Sequence, residues 1–369
     1  MQQSESPSAR ARELGIVVGE LPTGPLNAIT DVGGVRVGHR TLIRGDAVRT
    51  GVTAIVPHAG NLFRERVYAA VSPFNGYGQL TSSMVIDEWG LIGSPIVITD
   101  TAGVGVGYSA VVEHLTAHDE TVGIADVAMP VVAECDDGFL NDNRTLALET
   151  ADVIAAIDAA AGGPVEEGSV GAGTGMQLFE YKGGIGTASR TVGGYTVGVL
   201  LTTNFGLQRQ LTILGVPVGR LLADPRFAEP GPPPRRHGEG SCVAVVATDA
   251  PLHPLQLRRL ARRTDVGLAR SGSVAHDGSG EIALAFSTAQ LVPREQREPV
   301  REVRVIPEGQ DWRTGTLLDG LFAAVAEATE EAVLNALFQA TTVTGRAGNT
   351  LERIDPDAAL AALVDWRVR

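Results

Sequence analysis

Cysteine, aromatic residues, basic charge and long apolar runs are all scarce in this 369-residue chain, and the shortages exclude several classes of protein. The two cysteines, Cys135 and Cys242, are too few for a disulfide framework or for a zinc site built from thiolates. No run of about 18 apolar residues occurs, so the sequence predicts no membrane-spanning helix. The formal net charge of −13 argues against a nucleic acid or an anionic membrane as partner, because both attract basic surfaces.

The N-terminal residues and the histidines add two further expectations. The chain begins without the basic start and apolar stretch of a secretory signal, and lone cysteines suit a reducing compartment, so we expect a cytoplasmic protein. Among the seven histidines, His114 and His118 have helical ligand spacing but lack the glutamate of the zinc-binding H-E-x-x-H pattern. We therefore expect no metal site.

Apolar residues make up 44% of the chain, which is enough for a large buried core. Their spacing predicts both strands and helices, mixed rather than strictly alternating. This mixture favours an α/β layered sandwich over a doubly wound sheet of the Rossmann type. The predicted strands are 35–37, 51–56, 95–99, 127–133, 195–203, 242–247 and 282–286, and the predicted helices are 104–117, 145–161, 255–268 and 317–338.

Two glycine-rich segments, 168–176 and 183–190, raise the question of a phosphate-binding loop. Neither has the Gly-Lys-Ser/Thr ending of a P-loop, and 168–176 lacks the G-x-G-x-x-G spacing of a dinucleotide site. We interpret 168–176 as a tight loop with close backbone packing. A contribution to a pocket wall stays open as the alternative.

The junction between Gly240 and Ser241 has an unusual setting. Residues 223–240 are rich in proline and nearly free of core-forming residues, which predicts an exposed linker, whereas the apolar run 242–247 predicts a buried strand. Cleavage before Ser241 would free an α-amine with a pKa of about 7.7–8.0, a suitable base for the serine hydroxyl. A Gly-Ser dipeptide is also common in ordinary turns, so this pattern alone leaves both interpretations open.

Several separated segments, in the same order, resemble the DmpA-like aminopeptidases. This family comprises the L-aminopeptidase/D-amino-acid esterase-amidases and the β-peptidyl aminopeptidases. The resemblance extends from about residue 24 to the C-terminal helix. The segments that carry it are 26–39 (LNAITDVGGVRVGH), 183–190 (GGIGTASR), 204–206 (NFG), 215–219 (GVPVG), 245–251 (VVATDAP) and 279–281 (SGE).

The resemblance implies an αββα sandwich similar to that of the N-terminal-nucleophile (Ntn) hydrolases but with different connectivity. It implies a single domain, residues 1–369, made as an inactive precursor that cuts itself into 1–240 and 241–369. The family typically forms tetramers of such heterodimers and uses no metal or organic cofactor. The implied activity is release of N-terminal L-, D- or β-amino acids from short peptides, amides or esters.

The resemblance also assigns roles to five residues. Ser241 is similar to the family's nucleophile, and Asn204 to the asparagine that stabilises the oxyanion. Ser279 and Glu281 resemble a Ser-x-Glu pair that orients the groups around the nucleophile, and Glu134 resembles the acid that binds the substrate's free amino group. From the residue pattern alone, 279–281 also fits a polar turn, and the other two fit a strand-end asparagine and a solvated acid.

One loop departs from the family pattern, because relatives commonly place a tyrosine there whereas this chain has Asp136 and Phe139. The loop also carries Glu134, Asp137 and Asp142, so we consider both a preference for basic substrates and simple solvation of the acids.

Two alternative functions remain at this stage. One is an acyltransferase of the ornithine-acetyltransferase type, although those enzymes use a threonine nucleophile in a different sequence setting. The other is a non-catalytic interaction protein with the same fold. A last expectation concerns Cys242, which should face away from Ser241, since neighbours in a strand point to opposite faces.

Overall fold

The computed structural model describes residues 8–222, 240–309 and 315–368. Strands and helices are numbered separately in chain order. The described strands are β1 (Arg36–Arg44), β2 (Val48–Val56), β3 (Glu65–Pro73), β4 (Leu91–Ile92), β5 (Ile96–Thr99), β6 (Val131–Glu134), β7 (Gln177–Leu178), β8 (Tyr181–Lys182), β9 (Ile185–Val192), β10 (Tyr195–Asn204), β11 (Ser241–Thr248), β12 (Gly280–Pro293), β13 (Val343–Thr344) and β14 (Thr350–Leu351). The described helices are α1 (Ser83–Trp89), α2 (Val104–His118), α3 (Thr150–Asp158), α4 (Val218–Leu222), α5 (Pro254–Ala261), α6 (Arg263–Arg270), α7 (Leu317–Gln339) and α8 (Pro356–Val368).

Two β-sheets lie face to face between two layers of helices. One sheet has the strand order β1-β2-β5-β6, and the other has the order β4-β3-β12-β11-β10-β9. Helices α2 and α3 pack on the outer face of the smaller sheet, and α5, α6 and α7 pack on the outer face of the larger one. The predicted αββα arrangement is therefore confirmed.

Strand β11 runs through the middle of the larger sheet and contributes to both of its faces. Val243 and Val245 belong to the apolar core between the two sheets, whereas Cys242 and Ala244 belong to the core under the helices. Because side chains alternate along a strand, Ser241 is in phase with Val243 and belongs to the inter-sheet side. The prediction that Cys242 faces away from Ser241 is confirmed.

Several predicted elements have other bounds than expected. Strands β1 and β12 extend well beyond the predicted 35–37 and 282–286, and three further elements differ for a local reason. The helix predicted over 145–161 begins at Thr150, because Leu146 has a positive φ of 45° that a helix cannot contain. The strand predicted over 127–133 begins at Val131, directly after Pro130, which has no N–H to donate. The helix predicted over 255–268 is two helices, α5 and α6, which meet at Arg262.

Strands β3 and β9 were missing from the sequence prediction. Both are largely buried on both faces, so they lack the alternation of apolar and polar residues that marks a half-exposed strand. The predicted linker 223–240 falls outside the described residues except for Gly240.

A network of buried ion pairs joins the part of the chain before Ser241 to α7. The guanidinium of Arg190 on β9 is fully buried; its Nε lies 3.0 Å from Glu327, and one terminal nitrogen lies 2.6 Å from Glu331. Arg12 adds a second contact with Glu331, at 2.8 Å from its Nε. These bonds connect residues on the two sides of the Gly240–Ser241 junction.

Three features of the structure concern the membrane helix, the metal site and the disulfides that were considered from the sequence. None of the described helices combines the length and apolar character needed to cross a bilayer. In the described part of the chain, no group of three or more histidine, cysteine or acidic side chains is arranged to hold a metal ion. Cys135 and Cys242 are both free and buried.

Candidate active site

Ser241 is the first residue of β11 and lies between the ends of two neighbouring strands. It pairs with Asn204, the last residue of β10, and with Gly280, the first residue of β12. Its side chain is buried, with the residue only 4% exposed. The backbone N–H of Gly280 donates to the carbonyl oxygen of Gly240 over 3.0 Å, so the peptide group before Ser241 is held by the neighbouring strand.

A cleft of about 610 Å³ opens above Ser241. Its walls come from the turn after β3, the short 3₁₀ turn before α2, the loop after β6, the end of β10 and the segment before β12. Among the described residues that line it, Glu134 and Asp136 are the charged ones, so this part of the wall is negatively charged. The lining residues are Gly76, Tyr77, Gly78, Gln79, Thr101, Ala102, Glu134, Asp136, Asn143, Asn204, Gly240, Ser241 and Gly278.

The side-chain amide of Asn204 is fixed from both ends. Its Oδ1 accepts a hydrogen bond from the backbone N–H of Gln177 at 3.1 Å, which determines which end of the amide carries the donors. Its Nδ2 donates to the carbonyl of Asp136 at 2.8 Å and lies 3.5 Å from the hydroxyl oxygen of Ser241. One amide N–H is thus directed at the reacting centre, as an oxyanion donor must be.

Ser279 and Glu281 lie together beside the Gly240–Ser241 junction. The hydroxyl of Ser279 donates to Oε1 of Glu281, whose residue is only 3% exposed. The other oxygen, Oε2, is buried and has no hydrogen-bond partner within the described residues. Burial raises the pKa of the Glu281 carboxyl, and the hydrogen bond from Ser279 opposes this rise. Because Glu281 pairs with Cys242 in the sheet, its backbone is next to the Ser241–Cys242 peptide.

Glu134 ends β6 and presents its carboxylate to the cleft. Oε1 accepts from the backbone N–H of Gln79 at 2.9 Å, and Oε2 accepts from the hydroxyl of Thr101. The residue is only 5% exposed, and burial raises the pKa of its carboxyl while the bond from Thr101 opposes the rise. Each carboxylate oxygen has more than one lone pair, so both can still accept from a bound ammonium.

The other acids of the loop do not act as a group. Asp137 is 1% exposed and accepts from the amide of Asn141 at 3.0 Å, and burial raises its pKa well above the ordinary value. Asp142 pairs with Arg144 at 2.7 Å, away from the cleft lining. Of these loop acids, only Asp136 lines the cleft together with Glu134. Asp137 and Asp142 instead form hydrogen bonds or ion pairs within the loop. Phe139 is absent from the cleft lining.

The structure therefore brings Ser241, Asn204, Ser279, Glu281 and Glu134 to one end of the sandwich. No sequence pattern indicated the groups that hold them. The donors from Gln79 and Gln177 are backbone N–H groups, which leave no side-chain signal. Tyr77 also lines the cleft with 78% of its surface exposed, and it was not identified from the sequence.

The sequence profile of peptidase family S58 matches residues 27–351 of the chain. The beta-peptidyl aminopeptidase BapA of Sphingosinicella microcystinivorans is 41% identical over an alignment 384 residues long, gaps included. The alignment covers 96% of this chain and 91% of that protein. The chain is thus similar to this relative over nearly its whole length.

Two solved structures are similar to this one at a TM-score of 0.87, each covering 97% of this chain and 99% of the other. One is a Burkholderia sp. beta-aminopeptidase, at 40% identity. The other is the L-aminopeptidase D-Ala-esterase/amidase of Ochrobactrum anthropi, at 39% identity, which is described as a prototype of the serine aminopeptidases with a variant Ntn hydrolase fold. They confirm the Ntn-like fold expected from the sequence and give no support to the acyltransferase or non-catalytic alternatives.

Proposed function

The chain belongs to peptidase family S58 and is an aminopeptidase, and we propose that its nucleophile is the hydroxyl of Ser241, freed by self-cleavage of the Gly240–Ser241 bond. The observation that carries the proposal is the position of Ser241. Its buried hydroxyl lies at the base of the cleft, 3.5 Å from the Asn204 amide nitrogen, and directly follows the carbonyl that must be cut.

Self-cleavage begins with attack of the Ser241 hydroxyl on the carbonyl carbon of Gly240. The hydrogen bond from the Gly280 N–H to the Gly240 oxygen, at 3.0 Å, supports this step because it polarises the carbonyl and stabilises negative charge on its oxygen. The C–N bond then breaks, the acyl group moves to the hydroxyl as an ester, and water hydrolyses the ester. The products are residues 1–240 and a second chain that begins with Ser241.

In turnover the new α-amine of Ser241 takes the proton of its own hydroxyl, which attacks the substrate carbonyl. The Asn204 amide stabilises the oxyanion, the amine product leaves, and water hydrolyses the acyl-enzyme. Oε2 of Glu281 is the group suited to the α-ammonium that forms, since it is buried and accepts no other hydrogen bond from the described residues. Ser279 fixes the orientation of that carboxylate.

The free amino group of the substrate binds Glu134. A carboxylate that is nearly buried and oriented by two donors forms a strong charge-assisted hydrogen bond with an ammonium. An open cleft of about 610 Å³ accommodates the end of a short peptide. We propose short peptides, amides and esters of L-, D- and β-amino acids as the substrate range, since relatives are named for β-peptides and for D-Ala esters and amides.

The proposal also covers the assembly of the cleaved chains and their location in the cell. After cleavage the two chains stay together through α7 and its buried ion pairs. We propose that such heterodimers assemble as a tetramer in the cytoplasm, without a metal or organic cofactor.

Substitution Ser241→Ala tests the proposal. Purified wild-type protein should give two bands on a denaturing gel, of 240 and 129 residues, the smaller with Ser241 at its N-terminus. The Ser241→Ala protein should stay full-length and hydrolyse none of a panel of L-, D- and β-amino-acid p-nitroanilides. Ser287→Ala is the matched control, because it removes another buried hydroxyl, bonded to Ala250, from the same sheet. An active protein that remains uncut would contradict the mechanism.

A further inference from the structure

Lys182 is a fully buried lysine that the mechanism above does not use. It ends β8, and its Nζ donates to the carbonyl oxygens of Gly173 at 2.8 Å and Gly183 at 2.6 Å. Within the described residues it forms no ion pair with a carboxylate. Burial lowers its pKa to about 7, against the opposing charge of Asp137. Burying an amine in this way is costly, so its two hydrogen bonds are what keep it there.

These two bonds connect the two glycine-rich segments of the sequence, 168–176 and 183–190. The segments approach so closely that a Cβ on Gly184 would lie 1.8 Å from the carbonyl oxygen of Gly168. Lysine is long enough to reach between them from β8 and donates to both at once. The glycines therefore serve close backbone packing, with Lys182 as the clamp.

The clamped segment holds Asn204 directly. Gln177, between the two clamped carbonyls in sequence, donates from its backbone to Oδ1 of Asn204 at 3.1 Å. Next to Asn204, the backbone N–H and the hydroxyl of Thr203 both donate to the carbonyl of Gly184 at 3.0 Å. Any movement of the segment is thus passed on to the Asn204 side chain.

The residues that hold the other end of the Asn204 amide contact the same segment. The carbonyl of Asp136 accepts from Nδ2 of Asn204 at 2.8 Å. The neighbouring side chain, Asp137, packs against Gly175, where an added Cβ would lie 2.6 Å from the Asp137 Cβ. One end of the Asn204 amide is consequently held by the clamped segment itself, and the other by chain that packs against that segment.

We propose that Lys182 is a positioning residue for the oxyanion hole, which keeps the Asn204 amide aimed at the reacting carbonyl by clamping residues 173–184. This role rests on the proposed function of Asn204. An oxyanion donor is effective only when it is held in place before the charge develops, and a displacement of about 1 Å costs roughly 100-fold in rate. Lys182 would thus act on the transition state and not on substrate binding.

Substitution Lys182→Met tests the proposal, because methionine fills similar space but cannot donate. We expect kcat to fall about 10-fold to 100-fold while KM stays within about twofold, since the loss affects the transition state alone. Activity is normalised to the cleaved fraction. Gln256→Met is the matched control, since it removes a fully buried donor bonded to the Ile306 carbonyl at 2.8 Å, and it should leave kcat unchanged.

A double-mutant cycle separates positioning from general support. Asn204→Ala alone should lower kcat by about 10²-fold to 10³-fold, as loss of an oxyanion donor does elsewhere. Adding Lys182→Met to it should lower kcat no further, because the donor that Lys182 positions is already gone. Multiplicative effects, or an unchanged kcat in the single variant, would overturn the role of Lys182. An unchanged kcat in Asn204→Ala would instead overturn the proposed function of Asn204.

If Lys182→Met does not fold, Lys182→Gln serves in the same cycle. Glutamine keeps an N–H donor and should retain more of the wild-type kcat than methionine does, in proportion to the bonds preserved. If Lys182→Gln lowered kcat by the same factor in the wild type and in Asn204→Ala, the proposal would again be rejected.

Discussion

At the scale of the residue, the absence of a side chain at Gly240 matters as much as the hydroxyl that follows it. A Cβ added to Gly240 would lie 2.3 Å from the carbonyl oxygen of Asn204 and 2.9 Å from the Cα of Phe205. Both of these are backbone atoms, which cannot move aside as a flexible side chain can. The close approach allows the cut peptide to sit beside β10, next to the residue that ends it.

Gly240→Ala should therefore slow self-cleavage. The methyl group forces the junction away from β10, and misplacing a reacting carbonyl by about 1 Å costs on the order of 100-fold in rate. The measurement is the full-length fraction on a denaturing gel, followed over time after synthesis. Gly105→Ala is the control, because a Cβ there meets nothing within 4 Å. Cleavage of Gly240→Ala at the wild-type rate would show that the contact is harmless.

Glu134→Gln tests recognition of the substrate's amino group. Glutamine keeps the shape but loses the charge, and a hydrogen bond to a charged group contributes about 1.5–3 kcal/mol, so kcat/KM should fall roughly 10-fold to 100-fold. Substrates without an α-ammonium should show no such difference between the two proteins. Asp142→Asn is the control, because Asp142 belongs to the same loop but pairs with Arg144 outside the cleft lining.

The same carboxyl gives a pH dependence with a defined sign. Burial raises the pKa of Glu134, so it takes up its proton at a higher pH than the ordinary glutamate value of about 4.3. Only the ionised form pairs with an ammonium. The kcat/KM of the wild type should therefore fall as the pH falls through the raised pKa, and Glu134→Gln should lack that inflection. An identical acid limb in both proteins would assign it to another group.

At the scale of the element, the site is produced by the alignment of β10, β11 and β12. Antiparallel pairing sets Asn204 opposite Ser241, and parallel pairing sets Gly280 beside it. A shift of either register by one residue would turn the wrong side chains toward the cleft. The apolar run after Ser241 fixes its phase, because Val243 and Val245 must remain between the sheets.

The sequence predicted two strands of this site, β10 and β11, better than β12 and the neighbouring strands. β10 and β11 were found within a residue or two of their bounds, since both are β-branched runs bounded by polar residues. Their register could not be derived from periodicity, because it depends on contacts between strands far apart in the chain. The roles of Asn204 and Glu134 came only from the family resemblance, since a single polar residue at a strand end is usually a cap or a solvated group.

The helices show what a local sequence pattern cannot predict, namely where a helix is interrupted and which residues its buried charges pair with. One continuous amphipathic pattern predicted a helix over 255–268, yet the chain bends at Arg262 so that α5 and α6 both follow the larger sheet and α7. Glutamates 327, 330 and 331 lie on α7 among buried apolar residues, where a helix prediction gives no hint of their partners. The partners of Glu327 and Glu331 come from β9 and the N-terminal segment, and that of Glu330 is Arg270 on α6, so only the tertiary fold brings them near.

At the scale of the whole molecule, self-cleavage makes the cohesion of two chains a requirement. After the cut, residues 1–240 and 241–369 have no peptide bond between them, so contacts across the junction must keep the site assembled. In the larger sheet β11 and β12, which follow the cut, lie side by side between β3 and β10, which precede it. The ion pairs of Arg190 with Glu327 and Glu331 add charged contacts of the same kind, buried beneath α7.

Arg190→Met should therefore destabilise the cleaved protein without altering its chemistry. The substitution leaves two carboxylates on α7 without their buried partner, and breaking such a pair costs about 3–5 kcal/mol. The unfolding midpoint in urea, which does not screen charges, should fall accordingly, while kcat per folded molecule stays at the wild-type value, since Arg190 contacts none of the cleft residues. Arg144→Met is the control, because its pair with Asp142 is solvent-exposed on the arginine side and should leave the midpoint unchanged. A midpoint for Arg190→Met equal to that of the wild type would mean that the sheet and the apolar core alone hold the two chains together.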